Sequence, residues 1–155
     1  MKIELWTVGK TRTGWIRQGE RDYIDRCKRF GAIETLIIPA EKSGNPQYIK
    51  SQESARILER LSKSQPIPTI LLDERGNHFG SPELAEHIRT ITDRQGNRLR
   101  FIIGGAYGVD ESVRAEAGLV ALSQMTFPHE LVRVIFLEQL YRAFTILRGE
   151  SYHHS

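Results

Sequence analysis

The chain has 155 residues, 22 of them basic and 19 acidic, with a net charge of +3, 39% hydrophobic residues and 26% charged ones. That composition supports one packed domain and excludes a disordered or two-domain protein. No apolar run approaches the roughly 18 residues of a membrane span, an acid at position 4 interrupts the stretch a signal peptide needs, and the lone Cys27 excludes an internal disulfide or cysteine-based zinc site; a soluble, cytoplasmic protein is expected.

Residues 3–8 (Ile-Glu-Leu-Trp-Thr-Val) are β-branched and aromatic and read as a strand. Apolar residues at 15, 16, 23, 24, 27 and 30 have helix spacing, which predicts a helix over 15–30. Residues 33–38 form a second strand, stopped by Pro39. After the turn-forming Ser43-Gly44-Asn45-Pro46, a helix over 48–63 turns Ile57, Leu58 and Leu61 inward. Residues 69–73 (Thr-Ile-Leu-Leu-Asp) are a short, uniformly apolar strand, as in a sheet covered on both faces. Ser81-Pro82-Glu83 starts a helix with a capping hydroxyl, a proline at the first helical position and an acid near the positive end of the dipole; Leu84, Ile88 and Ile91 are its buried stripe.

Residues 99–103 form a fourth strand that runs into Gly104-Gly105. A short helix over 110–117 ends at Gly118, residues 119–123 form a fifth strand, and the last helix runs over 130–148 to Gly149. Strand and helix alternate five times, which predicts one α/β domain over 1–155 with a mostly parallel sheet. On the last helix, at about 100° per residue, Glu138, Gln139, Arg142 and Thr145 share one side, while the apolar residues between Val132 and Leu147 fill an arc of about 200°. Covering one sheet face takes only about 100°. The surplus predicts a homodimer with this helix in the interface, the other destination being loops of the same chain.

Sixteen of the 22 basic residues are Arg, clustered at 17, 21, 26 and 29 and again at 94, 98 and 100. Arg matches phosphate with a planar fork of donors. The pattern fits a polyanion partner such as nucleic acid, and it equally fits solvated helix faces. In an open α/β sheet, ligands bind beyond the carboxyl ends of the strands. Three such ends stand out: Leu72-Asp73, Gly104-Gly105-Ala106-Tyr107-Gly108, and 123–128. Neither the dinucleotide fingerprint nor the Walker phosphate loop is present, and the histidines at 78, 87, 129, 153 and 154 lack metal-ligand spacing. His129 opens the last helix, Arg133 lies one turn on, Glu138 and Arg142 form an i,i+4 pair, and Tyr152-His153-His154-Ser155 ends the chain as a functional tail or a frayed end. Arg133 fits core-edge packing or a functional role.

Several segments together resemble one family. They are Val8-Gly9-Lys10, Thr69-Ile70-Leu71-Leu72-Asp73, Phe101-Ile102-Ile103-Gly104-Gly105-Ala106-Tyr107-Gly108, Met125-Thr126-Phe127-Pro128-His129, Leu131-Val132-Arg133-Val134, Glu138-Gln139-Leu140-Tyr141-Arg142-Ala143-Phe144 and the closing Tyr152-His153. In this order and spacing they resemble the RlmH family of SPOUT-class methyltransferases, over the whole chain. The resemblance implies a C-terminal trefoil knot, which general chain rules argue against, and S-adenosylmethionine as co-substrate without a metal. It places Leu72 at the cofactor, has Gly104 and Gly105 let the backbone close on it, and wraps it with Leu122, Ser123, Gln124, Met125, Thr126 and Phe127.

The resemblance further implies methylation of N3 of a pseudouridine in 23S rRNA of the assembled ribosome. Managing the N3 proton falls to His129, Glu138, Arg142, Tyr152 and His153, with the base among them open and either subunit of a homodimer as their source. The tail then folds over the site, Arg142 binds phosphate or steadies a developing negative oxygen, and Arg17 and Arg21 hold rRNA phosphates. Rival readings are a methyltransferase of the same architecture acting on another RNA such as tRNA, and a non-catalytic ribosome-binding factor.

Overall fold

The computed structural model describes residues 1–154; Ser155, at the end of the tail, lies outside them. Among the described residues the chain alternates β1 (Lys2–Val8), α1 (Gly14–Cys27), β2 (Ala32–Ile38), α2 (Pro46–Ser62), β3 (Thr69–His78), α3 (Ser81–Arg94), β4 (Arg98–Ile103), α4 (Glu111–Arg114), β5 (Gly118–Ala121) and α5 (His129–Leu147). The strands form one sheet in the order β2-β1-β4-β3-β5, and every pairing is parallel. The α/β reading holds. No helix among the described residues is long and apolar enough to cross a membrane.

The two-residue period of the strands sorts the core into two layers. Ile3, Leu5, Leu99, Phe101, Ile70 and Val120 face one side, where the inward residues of α1, α3 and α5 cover them. Trp6, Val8, Ile38, Leu71 and Ile102 face the other side with Ile57, Val109 and Val113 from the α2 and α4 region. Phe136 of α5 sits on Phe101 of β4 with ring centroids 4.7 Å apart. Each such buried side chain contributes about 1.5–3 kcal/mol.

Three local expectations are corrected. The third strand runs to His78 rather than stopping at Asp73, because β3 pairs with β5 twice: Leu72 opposite Val120, then, past a register shift, Asn77 opposite Val120 and His78 opposite Ala121. Gly76 permits the second pairing, since a Cβ there would lie closer than 3.0 Å to the backbone of Leu119 and Val120. Ser81 does not cap α3. Gly80 is the capping residue, its N–H donates to the Glu83 carboxylate, and the Ser81 hydroxyl donates to Gln139 Oε1 at 2.6 Å. Thr145 is fully buried rather than on a polar face, because its hydroxyl is satisfied by the Arg142 carbonyl at 2.7 Å.

The apolar arc of α5 is largely used within its own chain. Phe136, Leu137, Leu140, Tyr141, Ala143 and Phe144 are buried, and the helix packs against both α1 and α3. What α5 leaves half-buried is a narrower stripe through Leu131, Ile135, Glu138, Gln139, Arg142 and Ile146. Gly76→Ala is expected to lower stability by about 1–3 kcal/mol through overpacking against β5; a lower urea midpoint at unchanged slope is the readout.

Candidate active site

Beyond the carboxyl ends of β3, β4 and β5 lies a cleft of about 370 Å³. Leu72, Leu122, Phe127 and Val132 give it apolar walls; Asp73, Glu74 and Arg114 give it polar ones. Arg114 Nε donates to Asp73 Oδ2 at 2.8 Å, and Asp73 Oδ1 accepts the Arg75 N–H at 2.9 Å, so this nearly buried ion pair fixes the end of the apolar part of β3. The Ser123 hydroxyl accepts the Met125 N–H at 3.0 Å and shapes the 122–127 loop. A connected recess of about 160 Å³ is lined by Leu72, Gly104, Gly105, Phe127 and His129. The structure thus brings together the residues expected at the cofactor, except Gln124, which is exposed and lines neither space.

On the other side of the 104–108 turn lies a larger cleft of about 1130 Å³, formed by the loops after β1 and β2, by Ile49 and Glu53 of α2, and by His129 and Glu130. Lys10, Arg12, Arg17 and Lys42 line it; Arg21 is exposed one turn from Arg17 on α1. Two α5 side chains hold the loop after β1. The Glu130 carboxylate accepts the N–H groups of Arg12 and Thr13. Arg133 is 1% exposed; its Nη2 donates to the Val8 carbonyl at 2.6 Å and its Nη1 to Thr11 Oγ1 at 2.8 Å, while Thr11 Oγ1 donates to Glu20 at 3.0 Å. Arg133 is therefore a packing residue at the core edge.

His129 belongs to both the recess and the large cleft. Burial, and then the Arg133 guanidinium, push its pKa below the ordinary value, which favours a neutral imidazole. Glu53 is 3% exposed, and its Oε2 accepts the Glu41 N–H at 3.1 Å. Burial raises its pKa against the opposing pull of that bond and of Arg56. A Cβ on Gly105 would lie closer than 3.0 Å to Glu53 Oε1, and one on Gly104 would press Val109 at 3.1 Å. The absent side chain of Gly105 thus makes room for a carboxylate, a cause distinct from the close approach to a cofactor expected of it.

The remaining expected residues assemble elsewhere. Glu138 Oε1 accepts from Arg142 Nε at 3.1 Å, Arg142 Nη2 at 2.5 Å and the Tyr152 hydroxyl at 3.1 Å, while Oε2 accepts from Gln139 at 2.7 Å. Arg142 Nη1 lies 3.3 Å from His153 Nδ1. A guanidinium only donates, so Nδ1 is the acceptor in this contact. The Glu138 hydrogen bond raises the Arg142 pKa. Burial, and then the neighbouring Tyr23 and Glu138, raise that of Tyr152, which stays a phenol donor. The tail is thus docked, with the Tyr152 ring 4.7 Å from that of Tyr141.

At about 1.5 Å of rise per residue, Glu138 lies about 14 Å and Arg142 about 20 Å along α5 from His129. Within one chain the tail cluster does not reach the strand-end clefts. Sequence reasoning missed Arg114, Arg12, Lys42 and Glu53, and gave no role to Lys10, which it met only in the Val8-Gly9-Lys10 segment. For Glu53 a signal existed, since it precedes Ile57 by one helical turn and so falls on the inward stripe.

The fold and the clefts define an α/β protein with a cleft of about 370 Å³ at its strand ends, beside a larger basic groove. The chain belongs to the SPOUT methyltransferase family: the family described as "Predicted SPOUT methyltransferase" matches residues 1–153. It is 43% identical to "Ribosomal RNA large subunit methyltransferase H" of Geotalea daltonii over 99% of this chain and 100% of that protein. It is 42% identical to the protein of that name from Cytophaga hutchinsonii, over 99% and 100% respectively. The Geobacter metallireducens protein of that name is 43% identical over the full length of both.

The lowered His129 pKa has a consequence for stability. Just below the ordinary value of 6.5, the unfolded chain binds a proton that the folded chain refuses. Stability is expected to fall as pH drops through about 6.5, and His129→Gln to remove that part of the loss; thermal unfolding across pH, wild type against variant, checks it.

Proposed function

We propose that this chain methylates N3 of a pseudouridine in 23S rRNA of the assembled ribosome, with S-adenosylmethionine as donor and as a homodimer whose C-terminal part is knotted. The reading is supported by family membership and by relatives named for methylation of large-subunit rRNA. Its main physical support is the 104–108 turn, which separates a recess for a small ligand from a cleft lined by four cationic side chains.

The first cleft and recess suit the donor. Their size falls near the lower end of small-molecule sites, and apolar walls with a few fixed polar groups are what such sites need. Leu72, Leu122 and Phe127 would hold its apolar parts, and Asp73, Arg114 and the backbone at Gly104, Gly105 and 123–126 would offer hydrogen bonds to its polar groups. The donor supplies an electrophilic methyl group on a sulfonium that leaves as a neutral thioether. The protein orients the base nitrogen in line with it, a contribution of up to about 7–11 kcal/mol in favourable cases.

Lys10, Arg12, Arg17 and Lys42 hold phosphates along the second cleft, and Arg21, one turn from Arg17, extends that basic surface. His129, neutral and on the boundary, positions the base or accepts the N3 proton. Arg142 remains charged and steadies the oxygen that turns negative as N3 loses its proton. Two of its five donors go to Glu138 and one to His153, which leaves two for an anion. Because the tail cluster lies about 14–20 Å along α5 from His129, the second copy supplies Glu138, Arg142, Tyr152 and His153 to the first copy's cleft. The outward stripe of α5 is the surface by which it does so.

Methyl transfer to 70S ribosomes, free large subunits and bulk tRNA tests the substrate: label is expected in large-subunit rRNA. Labelled tRNA with silent ribosomes would replace the substrate, and ribosome binding without donor binding would make the protein a non-catalytic factor. Arg142→Ala is expected to lower turnover by about 10²–10³-fold with donor affinity intact. For the composite site, inactive Gly104→Val and inactive Arg142→Ala chains, mixed and reassembled, are expected to regain activity through dimers with one intact cleft. Mixtures as dead as either parent sink the shared site.

A further inference from the structure

Glu53 is a buried acid that the mechanism above does not use. Its Oε1 is shut off from solvent and has no hydrogen-bond partner. Arg56, one turn away, is spent on the Pro39 carbonyl at 3.0 Å and Glu41 Oε2 at 2.7 Å. Among the described residues no cation lies within ion-pair distance of Glu53. A carboxylate oxygen buried without a partner is costly and calls for a donor that the folded chain does not supply.

Position narrows what that donor is. Glu53 lines the large basic cleft and lies against Gly105, the residue that also walls the recess assigned to the methyl donor. The other two carboxylates of that cleft are taken: Glu41 by Arg56 and the Lys42 N–H, Glu130 by the N–H groups of Arg12 and Thr13. Glu53 therefore carries the open acceptor, beside the turn that divides the basic cleft from the recess. The last torsion of a glutamate is broad, so the carboxylate can turn Oε1 from Gly105 toward the cleft without moving backbone, at the expense of the 3.1 Å bond that Oε2 accepts from the Glu41 N–H.

We propose that Glu53 is a specificity-determining residue whose open oxygen accepts the ring N1–H that a carbon-linked pyrimidine carries and an ordinary uridine lacks. This rests on the function proposed above. In pseudouridine the sugar is attached through carbon, so both ring nitrogens bear hydrogen, on either side of the C2 carbonyl. With N3 directed at the methyl donor, N1–H points away from it and needs an acceptor. In uridine that nitrogen is bonded to ribose, and Glu53 stays unpaired. Sites built to bond a substrate N–H reject an analogue without it far more strongly than apolar pockets reject a size change.

The test compares kcat/KM on ribosomes carrying pseudouridine with that on ribosomes carrying uridine at the same position. Wild type is expected to favour pseudouridine by at least about a hundredfold, and Glu53→Ala to collapse that preference through slower transfer to pseudouridine alone. Glu53→Gln, which keeps an acceptor oxygen, is expected to retain most of it. Partial misfolding lowers both rates together and leaves their ratio unchanged, so the ratio isolates recognition. An equal loss on both ribosomes, or a wild type without preference, overturns the role of Glu53. A wild type inactive on both, with donor bound, overturns the proposed function itself.

Discussion

The functional edge depends on one constraint: the chain from Gly104 to Gly108 must be thin enough to wall two clefts at once. Sheet order explains why the turn lies there. β4 is the central strand, flanked by β1 and β3, so the loop at its carboxyl end divides the edge of the sheet. On the β3–β5 side lies the smaller cleft, and on the β1–β2 side the larger, basic one. Packing denies the turn side chains: Val109 fills the space beside Gly104, the Glu53 carboxylate fills that beside Gly105, and Gly108 has φ +73°, a region that disfavours a Cβ. Below the turn, Ile102 and Ile103 are buried; beyond it, the Asp110 N–H donates to Ser54 Oγ at 2.9 Å. A short wall anchored at both ends keeps its place whichever cleft is filled.

α5 is the second fixed element. Its N-terminal turns meet both clefts and, through Glu130 and Arg133, hold the loop that carries Lys10 and Arg12. Its middle is locked into the core by Phe136, Leu137 and Leu140, so bending cannot bring its C-terminal half back to the strand ends. The separation of Glu138 and Arg142 from His129 follows from helix rise alone. If all of these groups act on one base, a second chain is required by geometry.

The strands were legible because β-branched runs such as 33–38 and 99–103 are bounded by turn residues and backed by helix-period segments. The extension of β3 was not: Glu74-Arg75-Gly76-Asn77-His78 is polar and carries a turn glycine, and only the close approach of Gly76 to β5 shows that it pairs. Ser81 has the chemistry of a cap, and only the presence of Gln139 decides that its hydroxyl goes elsewhere. The strand-end residues Leu72, Gly104 and Gly105 were accessible from position in an α/β sheet. The tail was accessible only through family resemblance, since Tyr-His at a chain end otherwise reads as fraying. Glu53 was missed because an acid on an amphipathic helix is normally solvated.

The tail cluster is built to withstand burial. A subunit interface over the outward stripe of α5 would take Glu138 and Arg142 out of water, where an ion pair can cost more than it returns unless its remaining hydrogen bonds are satisfied. Here Glu138 accepts four, from Arg142 twice, Tyr152 and Gln139, and Gln139 is itself bonded to Ser81. The carboxylate is therefore already solvated by protein before a partner arrives, and Arg142 still has donors to spare. Glu138 thus holds Arg142 and the Tyr152 hydroxyl in place, and through Tyr152 it ties the tail to α5.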